Sequence, residues 1–328
     1  MGVTKIEWCD YTFNPWRGCQ KVNAGCTNCY ADKNARRMPD KFGVFGSQAQ
    51  GGTRVVAAES MWREPVKWNA LAEIWIKNEG RRPRVFCASL ADVFEAWDGP
   101  MLDHNGHQLF TINGDEWFTE AEYPECRPLT MNDCRQRLFK LIDATPNLDW
   151  LVLSKRPENV RRMWPHLDDG AGYMVPNKIE NVWLGTSVAN QETAEQAIPE
   201  LLKCRDLAKV LFLSCEPLIG PVDLSSHIGR NLLPSEHGLS NWPQDGIDWV
   251  IVGGESGPKA RPCDTGWILD VIVQCKSAGV PCFVKQIGAN VIDSPSVRKW
   301  PYVKGKLHPK GGDINEWPAS LRVREFPQ

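Results

Sequence analysis

From residue 84 onward, short runs of apolar and β-branched residues alternate with stretches of helical periodicity. The apolar runs are 84–92, 148–157, 181–188, 209–217, 248–257 and 280–288. The helical stretches are 130–145, 157–165, 189–204 and 264–278. Continuous apolar strands that alternate with helices are typical of a parallel sheet covered by helices. With a first strand near 11–16, the pattern predicts about seven strand–helix units and an α/β fold, a full or partial TIM-like (β/α) barrel.

Polar residues follow the carboxyl ends of these runs. They are Ser89 and Asp92, Lys155 and Arg156, Ser187 and Asn190, Glu216, Glu255 and Ser256, and Lys285 and Gln286. The carboxyl ends of parallel barrel strands converge on one face, where active sites lie, so we expect these side chains to surround a site. Loops are polar in any protein, and each residue taken singly also fits a surface salt bridge or a helix cap.

Two insertions interrupt the alternation of strands and helices. Residues 93–128 follow the second strand, and residues 220–247, rich in Gly, Pro, Ser and Asn, follow the fifth. Long loops at the carboxyl face of a barrel often act as lids, although inert surface loops have the same composition. We predict a barrel over residues 1–292 with these two insertions, and an irregular polar extension over residues 293–328.

Composition and charge narrow the class of protein. Hydrophobic residues make up 42% of the chain and charged residues 24%, which is typical of a soluble globular protein. The formal net charge of -2 provides no global positive field, so a nucleic-acid substrate would need a local basic patch. No signal-peptide layout and no membrane-length apolar run is present, which predicts a cytoplasmic protein without a membrane partner.

Nine of the 12 cysteines lie outside the one cluster with ligand-like spacing. Six of these occur in strand-like or helical runs, where we predict small buried hydrophobic residues: Cys87, Cys134, Cys204, Cys215, Cys275 and Cys282. Cys19, Cys26 and Cys29 instead follow the predicted first strand with the spacing C-x6-C-x2-C. This triplet is the candidate metal site of the sequence.

Three thiolates leave the metal open to two interpretations. A structural zinc needs four ligands, and because the nearest histidine is His104, Cys9 would have to be the fourth. A [4Fe–4S] cluster also takes four cysteines as a rule. Three would leave one iron open for the amino and carboxylate groups of S-adenosylmethionine (SAM).

The chain carries several long, distinctive strings. They are IEWCDYTFNPWRGC, GCTNCYA, LSKRPENV, NVWLGTSVANQ, FLSCEPLIGPVDL, WVIVGGESGPKARP, FVKQIG and GGDINEWPASLRVREFP. With its three-cysteine loop after a first strand, the chain resembles the radical SAM enzyme superfamily, and more closely its phage-associated three-cysteine-motif family. The resemblance covers nearly the whole chain. It implies a [4Fe–4S] cluster on Cys19, Cys26 and Cys29, with SAM as the second cofactor.

The chain departs from the radical SAM pattern in two places. The usual spacing is C-x3-C-x2-C with an aromatic residue before the third cysteine, whereas here Asn28 precedes Cys29 and the aromatic Tyr30 follows it. The Gly-Gly-Glu that holds the methionine amino group normally follows the second strand, where this chain has Ser89 and Asp92. These two residues would therefore have to serve in its place.

The resemblance also suggests roles for the other strand-end residues. A cation at Lys155 or Arg156 would bind the methionine carboxylate. Short polar side chains at Ser187 and Asn190 would bind the ribose. Glycines at Gly253 and Gly254 would let the backbone approach the adenosyl group. Glu216, Glu255 and Lys285 are the candidate catalytic residues, which would contact substrate or move a proton.

In radical SAM chemistry, an electron from the cluster cleaves the C5′–S bond of SAM, and the resulting 5′-deoxyadenosyl radical abstracts a substrate hydrogen. This implies a one-electron reductant resembling flavodoxin or ferredoxin as a partner. Two alternatives remain at this point: a barrel with a structural zinc or iron–sulfur site and a nucleic-acid-binding role, and a metal-free hydrolase that uses Glu216 or Glu255.

Tryptophans and basic runs are the sequence features that bear on the substrate. Tryptophans predicted near the mouth of the barrel could stack on a base or pack its rim: Trp16, Trp97, Trp117 and Trp183. Basic runs at 34–38, 80–84 and 155–162 could contact phosphates. Together with the phage association of the resembled family, they suggest DNA or RNA base modification or repair.

Overall fold

The computed structural model describes residues 4–121, 123–168, 174–229, 246–297 and 308–327. The chain divides into two compact units. The first unit contains Met1–Val22 and Cys29–Trp183, and the second contains Asn23–Asn28 and Leu184–Gln328. The division predicted from the sequence, a barrel over 1–292 and an extension over 293–328, stays a prediction.

In the described chain, every helix or strand longer than eight residues lies after residue 130. The helices are α1 (Tyr30–Arg37), α2 (Pro39–Phe42), α3 (Glu59–Trp62), α4 (Glu64–Ala70), α5 (Ala72–Glu79), α6 (Met131–Asp143), α7 (Pro157–Met163), α8 (Gln191–Leu202) and α9 (Thr265–Ala278). Short 3₁₀ turns occur at Ala24–Cys26, Gln48–Gln50, Ile314–Glu316 and Ala319–Leu321.

Strands appear where the apolar runs predict them, and in the 93–128 insertion as well. They are β1 (Tyr11–Phe13), β2 (Trp16–Arg17), β3 (Arg54–Val56), β4 (Arg84–Cys87), β5 (Met101–Leu102), β6 (Phe110–Thr111), β7 (Trp117–Phe118), β8 (Arg127–Pro128), β9 (Asp149–Ser154), β10 (His166–Asp168), β11 (Met174–Pro176), β12 (Ile179–Ser187), β13 (Ala208–Cys215), β14 (Trp249–Gly253), β15 (Cys263–Asp264), β16 (Cys282–Gln286) and β17 (Val291–Ile292).

The seven predicted strands form one parallel sheet. Their order is β1-β4-β9-β12-β13-β14-β16, which follows the order of the chain. The parallel α/β class is therefore confirmed. In the described parts of the chain no ladder joins β1 to β16, so the sheet is consistent with a partial (β/α) barrel, and closure into a full barrel is not seen.

In the first unit, aromatic packing covers β1, and the 93–128 insertion shares a buried cluster with neighbouring segments. The ring of Phe13 lies edge-on to Trp62 and Trp150. Within the insertion, β6 pairs with β7 and β8, while β5 pairs with β3. A buried cluster anchors these short strands: Trp16, Val56, Met101, Leu109, Leu129, Met131 and Cys134.

In the second unit, strands β13, β14 and β16 are buried, and the described end of the chain packs on the last of them. The backbone N–H of Val284 donates to the Val323 carbonyl at 2.8 Å, and Trp317 is only 1% exposed. The segment 308–327 contains two 3₁₀ turns and one bridge and is otherwise irregular. Of the predicted 220–247 insertion, 230–245 lie outside the described residues.

All six isolated cysteines are buried, as predicted. One detail of that prediction was wrong, because Cys204 lies in the turn after α8 and not in the helix. Among the described residues, none of the helices has the length and apolarity needed to cross a membrane.

Candidate functional site

Asp92 organises the carboxyl ends of β4 and β9 in the first unit. Its carboxylate accepts hydrogen bonds from Ser154 Oγ at 2.7 Å, from the Lys155 backbone N–H at 2.9 Å and from Arg156 Nη1 at 2.9 Å. It also accepts from the backbone N–H of Phe94 at 3.0 Å. Asp92, predicted to contact SAM, is thus buried and bound by four donors of the protein itself.

Arg156 connects this carboxylate to the first cysteine of the triplet. Its Nη1 lies 3.6 Å from Cys19 Sγ, and its Nη2 donates to the Gln20 carbonyl oxygen at 2.7 Å. Its Nη2 also lies 3.3 Å from Glu95 Oε1. Arg156 therefore holds both the sulfur of Cys19 and the backbone that follows it.

Glu95 secures the same segment from a second direction. Its carboxylate accepts two hydrogen bonds from Arg54, at 2.7 and 2.8 Å, and one from the Gln20 backbone N–H at 2.8 Å. Glu95 is 2% exposed and Arg54 is fully buried. Two guanidinium groups and two carboxylates, those of Arg54, Arg156, Asp92 and Glu95, thus form a charge-balanced buried network beside Cys19.

The burial and the charges around Cys19 change the pKa of its thiol. Burial raises the pKa of the Cys19 thiol to about 12, and the carboxylates of Glu95 and Asp92 contribute to the rise, whereas Arg156 opposes it. A pKa raised in this way favours the protonated thiol over the thiolate at neutral pH. A metal that binds its sulfur would displace the proton.

Cys9 and Cys19 lie at opposite ends of β4. Next to Cys9, the backbone N–H of Asp10 donates to the carbonyl of Arg84, the first residue of β4, and Gly18 next to Cys19 donates to Leu90, beyond its end. Four strand residues span roughly 10 Å, whereas two sulfurs on one zinc are less than about 5 Å apart. This placement does not favour Cys9 as a fourth ligand.

Ser89 lies after β4 and contacts neighbours of the cysteine segment, which we define as residues 19–29. Its Oγ exchanges hydrogen bonds with the carboxamide of Asn14 at 3.1 and 3.2 Å. Its carbonyl oxygen accepts from the hydroxyl of Tyr30 at 2.6 Å, and Tyr30 directly follows Cys29 at the start of α1. The aromatic residue that follows the third cysteine thus helps to fix this end of the segment.

In the second unit, predicted catalytic residues meet at the carboxyl ends of β13, β14 and β16. Lys285 Nζ lies 2.7 and 2.8 Å from the two carboxylate oxygens of Glu216. Gln286 Nε2 donates to Glu216 at 3.2 Å and to the Gly254 carbonyl at 2.8 Å. Glu216 and Lys285 are partly exposed, so the pair is accessible to a ligand.

Glu255 also lies in the second unit, where it holds the middle of the cysteine segment. It is buried and accepts hydrogen bonds from Arg261 and from Asn28 Nδ2 at 2.9 Å, while Arg261 Nη1 donates to the Ala24 carbonyl at 2.7 Å. Burial alone would raise the pKa of Glu255, but hydrogen bonds from Arg261 and Asn28 outweigh it and lower that pKa. Glu255 is thus an ionised group that positions the segment.

The other predicted SAM contacts have structural roles in the second unit. The Asn190 side chain caps α8 by accepting from the Thr193 backbone N–H at 3.1 Å. A Cβ at Gly254 would lie 2.5 Å from the Ile287 carbonyl, and one at Gly253 would lie 3.1 Å from the Gln286 carbonyl. Close backbone packing therefore explains both glycines without a ligand. Ser187 is the buried last residue of β12.

Sequence reasoning missed Arg54, Glu95 and Arg261. A signal was present for the first two, because Arg54 begins the apolar run RVVAA and Glu95 follows Val93 and Phe94. A charged residue inside an apolar run is buried only when it is paired. Arg261 carries no such signal, because it lies in a polar loop and its partner is six residues away.

The cysteine triplet supplies soft donors without a preformed cage. Cys19, Cys26 and Cys29 are free of disulfides. Thiolate donors suit zinc or iron–sulfur clusters and not Mg²⁺ or Ca²⁺. Over the described ranges, no group of three or more His, Cys, Asp or Glu side chains is arranged to hold a metal ion. The chemistry of the donors fits a cluster, and its ligation remains a proposal.

The four tryptophans considered for base stacking mostly pack within the protein. Trp16 and Trp183 are buried, and the Arg54 guanidinium lies 3.9 Å from the ring centroid of Trp97. Trp117 packs edge-on against Trp62, with ring centroids 5.6 Å apart. The packing interpretation of these residues is the one that these contacts favour.

One family of known sequences matches the chain. The model of a family described as "Protein of unknown function (DUF5131)" matches residues 3–105 and 128–316, which is most of the chain. The interval between the two matched ranges falls in the 93–128 insertion. A search of curated proteins and a search of solved structures each found no match.

Proposed function

The chain belongs to the DUF5131 family, and we propose that it is a radical SAM enzyme whose cysteine triplet ligates a [4Fe–4S] cluster. One observation carries the proposal: three disulfide-free cysteines spaced C-x6-C-x2-C follow the first strand of a parallel sheet, and the first sulfur receives a hydrogen bond from a buried arginine. Three cysteine ligands leave one iron open for SAM.

The protein would contribute a fixed cysteine segment. Arg156 and Glu95 hold Gln20 after the first cysteine, and Glu255 holds Asn28 before the third. When bound, the cluster would supply the single electron for reductive cleavage of SAM.

Lys155 is our proposed partner for the methionine carboxylate. Arg156, the other candidate, binds Asp92, Glu95 and the Gln20 carbonyl, and its proposed role is to hold the cysteine segment. The half-buried Lys155 follows the end of β9, and its backbone N–H is fixed by Asp92. An ammonium held at that place suits a single carboxylate.

Glu216 and Lys285 are our proposed catalytic pair. They form a partly exposed ion pair at the carboxyl ends of two strands, in the setting where barrel enzymes carry their chemistry. Separation of the pair by a substrate would leave a carboxylate and an ammonium to bind it or to move a proton. A one-electron reductant of the flavodoxin or ferredoxin type would be the protein partner, and the cytoplasm the location.

Anaerobic reconstitution with iron and sulfide tests the proposal. The wild-type chain is expected to bind about four iron atoms, as a [4Fe–4S] cluster requires, and to show the brown absorbance of such a cluster. Replacement of Cys19, Cys26 or Cys29 by Ala is expected to remove the chromophore. The addition of SAM and a reductant is expected to yield 5′-deoxyadenosine.

Two control variants define what would contradict the proposal. Cys126→Ala removes a partly exposed thiol outside the triplet, and Cys9→Ala removes the candidate fourth zinc ligand. Both are expected to keep the cluster. Binding of zinc alone, or loss of metal in Cys9→Ala, would establish the structural-metal alternative instead.

A further inference from the structure

The sulfur of Cys19 lies against a buried, charged donor. Arg156 Nη1 is 3.6 Å from Cys19 Sγ, and the Arg156 side chain is only 8% exposed. The same guanidinium also donates to the carbonyl of Gln20, the next residue. A cation excluded from water in this way acts on its neighbours more strongly than a surface cation does.

The position of this donor is fixed from behind. Asp92 Oδ2 accepts from Arg156 Nη1 at 2.9 Å, and Ser154 Oγ in turn donates to Asp92 at 2.7 Å. Glu95, which contacts Arg156 Nη2, is held by two hydrogen bonds from Arg54. The guanidinium therefore cannot turn away from the sulfur without breaking a buried ion-pair network.

We infer, on the basis of the function proposed above, that Arg156 is a positioning residue that raises the reduction potential of a cluster bound at Cys19. Reduction adds negative charge to a cluster that thiolates already make negative. A hydrogen bond to a ligand sulfur and a nearby positive charge both stabilise the reduced form. A higher potential would ease electron transfer from a flavodoxin- or ferredoxin-like donor.

The two carboxylates strengthen the expected effect of removing Arg156. With the arginine present, Asp92 and Glu95 are balanced by Arg54 and Arg156. Without Arg156, the same carboxylates would face the sulfur with one cation fewer. The loss of the donor and the uncompensated negative charge would both lower the potential.

The experiment is a redox titration of the reconstituted full-length chain, with the reduced cluster followed by electron paramagnetic resonance. The midpoint potential is expected to shift to more negative values in Arg156→Gln. Arg156→Lys, which keeps the charge but cannot reach both Cys19 Sγ and the Gln20 carbonyl, is expected to lie between Arg156→Gln and wild type.

Arg135→Gln is the matched control. Arg135 is another buried arginine of the first unit, and it donates to the carbonyls of Val93 and Glu95 without a contact to sulfur. Its variant removes one buried positive charge, and its shift is expected to be smaller than that of Arg156→Gln. Iron content and far-ultraviolet circular dichroism of each variant establish that folded, loaded proteins are compared.

The outcomes separate this inference from the proposed function. A wild-type chain that assembles no cluster would refute both. A wild-type cluster whose potential is unchanged in Arg156→Gln, or shifted equally in Arg135→Gln, would refute the role of Arg156 alone. If Arg156→Gln does not retain iron, the midpoint potential of Arg156→Lys becomes the test. A value equal to that of wild type would then overturn the inference.

Discussion

Glu95 is a buried carboxylate at the centre of the charged network beside Cys19. It accepts hydrogen bonds from Arg54, from Arg156 and from the backbone N–H of Gln20, and it is 2% exposed. A buried ion pair adds little net stability, but removal of one partner leaves the other charge in a low dielectric without compensation. Glu95 contacts two guanidinium groups, so its removal would leave two buried cations with less compensating negative charge.

We therefore predict that Glu95→Gln lowers the free energy of unfolding by about 3–5 kcal/mol, because Arg54 would be left buried without a carboxylate. Urea unfolding followed by circular dichroism measures the change. The matched control is Glu59→Gln, because Glu59 also binds an arginine through both oxygens, that of Arg137, but its side chain is 56% exposed.

The control is expected to cost less than about 1 kcal/mol, the usual range for a surface ion pair. Equal losses in Glu95→Gln and Glu59→Gln would mean that burial does not set the energy of the Glu95 network. In that case Arg156 would also lack the rigid support that the inference about the cluster potential requires.

Helix α6 begins with a reciprocal cap that ties it to the 93–128 insertion. The Thr130 hydroxyl accepts from the Asp133 backbone N–H at 3.2 Å, and Asp133 accepts from the Thr130 backbone N–H at 2.9 Å. Arg127, in the last strand of the insertion, adds two hydrogen bonds of 2.8 Å to the Asp133 carboxylate. Burial alone would raise the pKa of Asp133, but the Arg127 and Thr130 contacts lower it to about 2.

The sign of this shift gives a pH-dependent prediction. A carboxylate whose pKa is lower in the folded chain stabilises the fold above its ordinary pKa of about 4, and this contribution is lost as the pH falls toward about 2. Asp133→Asn is therefore expected to lower the free energy of unfolding most near pH 7. The difference from wild type should shrink between about pH 4 and about pH 2.

Asp115→Asn serves as the control for this measurement. Asp115 pairs with Lys140, and both side chains are more than half exposed, so its variant is expected to change the unfolding free energy little at either pH. A difference between Asp133→Asn and wild type that stays constant down to about pH 2 would show that the Asp133 carboxylate does not titrate in this range.

The predicted elements were those with a large apolar signal. All seven strands of the sheet were found, because buried parallel strands are continuous apolar runs. Helices α1 to α5 were missed for a physical reason. The buried face of α1 consists of Ala31, Asp32 and Ala35, which is almost no apolar signal, and α3 to α5 are short segments between breaks near Arg63 and Leu71.

Two clusters of strand-end residues form, one within each unit, but the role of each residue could not be read from its type. Asp92 and Glu255 are polar residues after strands, yet each binds several donors of the protein. Asn190 proved to be a helix cap. A carboxylate that binds a ligand and one that holds a loop have the same sequence signal, because the difference lies in distant partners such as Arg261.

At the scale of the whole molecule, charge decides whether a nucleic-acid substrate is plausible. The chain has 38 Lys and Arg residues against 40 Asp and Glu, and several cations of the predicted basic runs are paired. Arg36 binds Asp32 at 3.0 Å, and Arg81 binds Asp10 at 2.6 Å. Contacts to phosphate would therefore have to come from a small local set of exposed cations.

Arg162, an exposed residue in the last turn of α7, is our candidate for such a contact. We predict weak binding of single-stranded oligonucleotides that falls steeply as salt rises, since each phosphate contact releases counterions. Arg162→Ser is expected to weaken binding and to reduce the slope of log affinity against log salt by up to about 1. Lys67→Ser, which removes a cation already paired with Glu64, should leave the slope unchanged.

Fluorescence anisotropy over a salt series measures all three proteins. If no binding occurs at low salt, and 5′-deoxyadenosine forms only with a substrate that is not a nucleic acid, the nucleic-acid proposal fails while the radical SAM proposal stands.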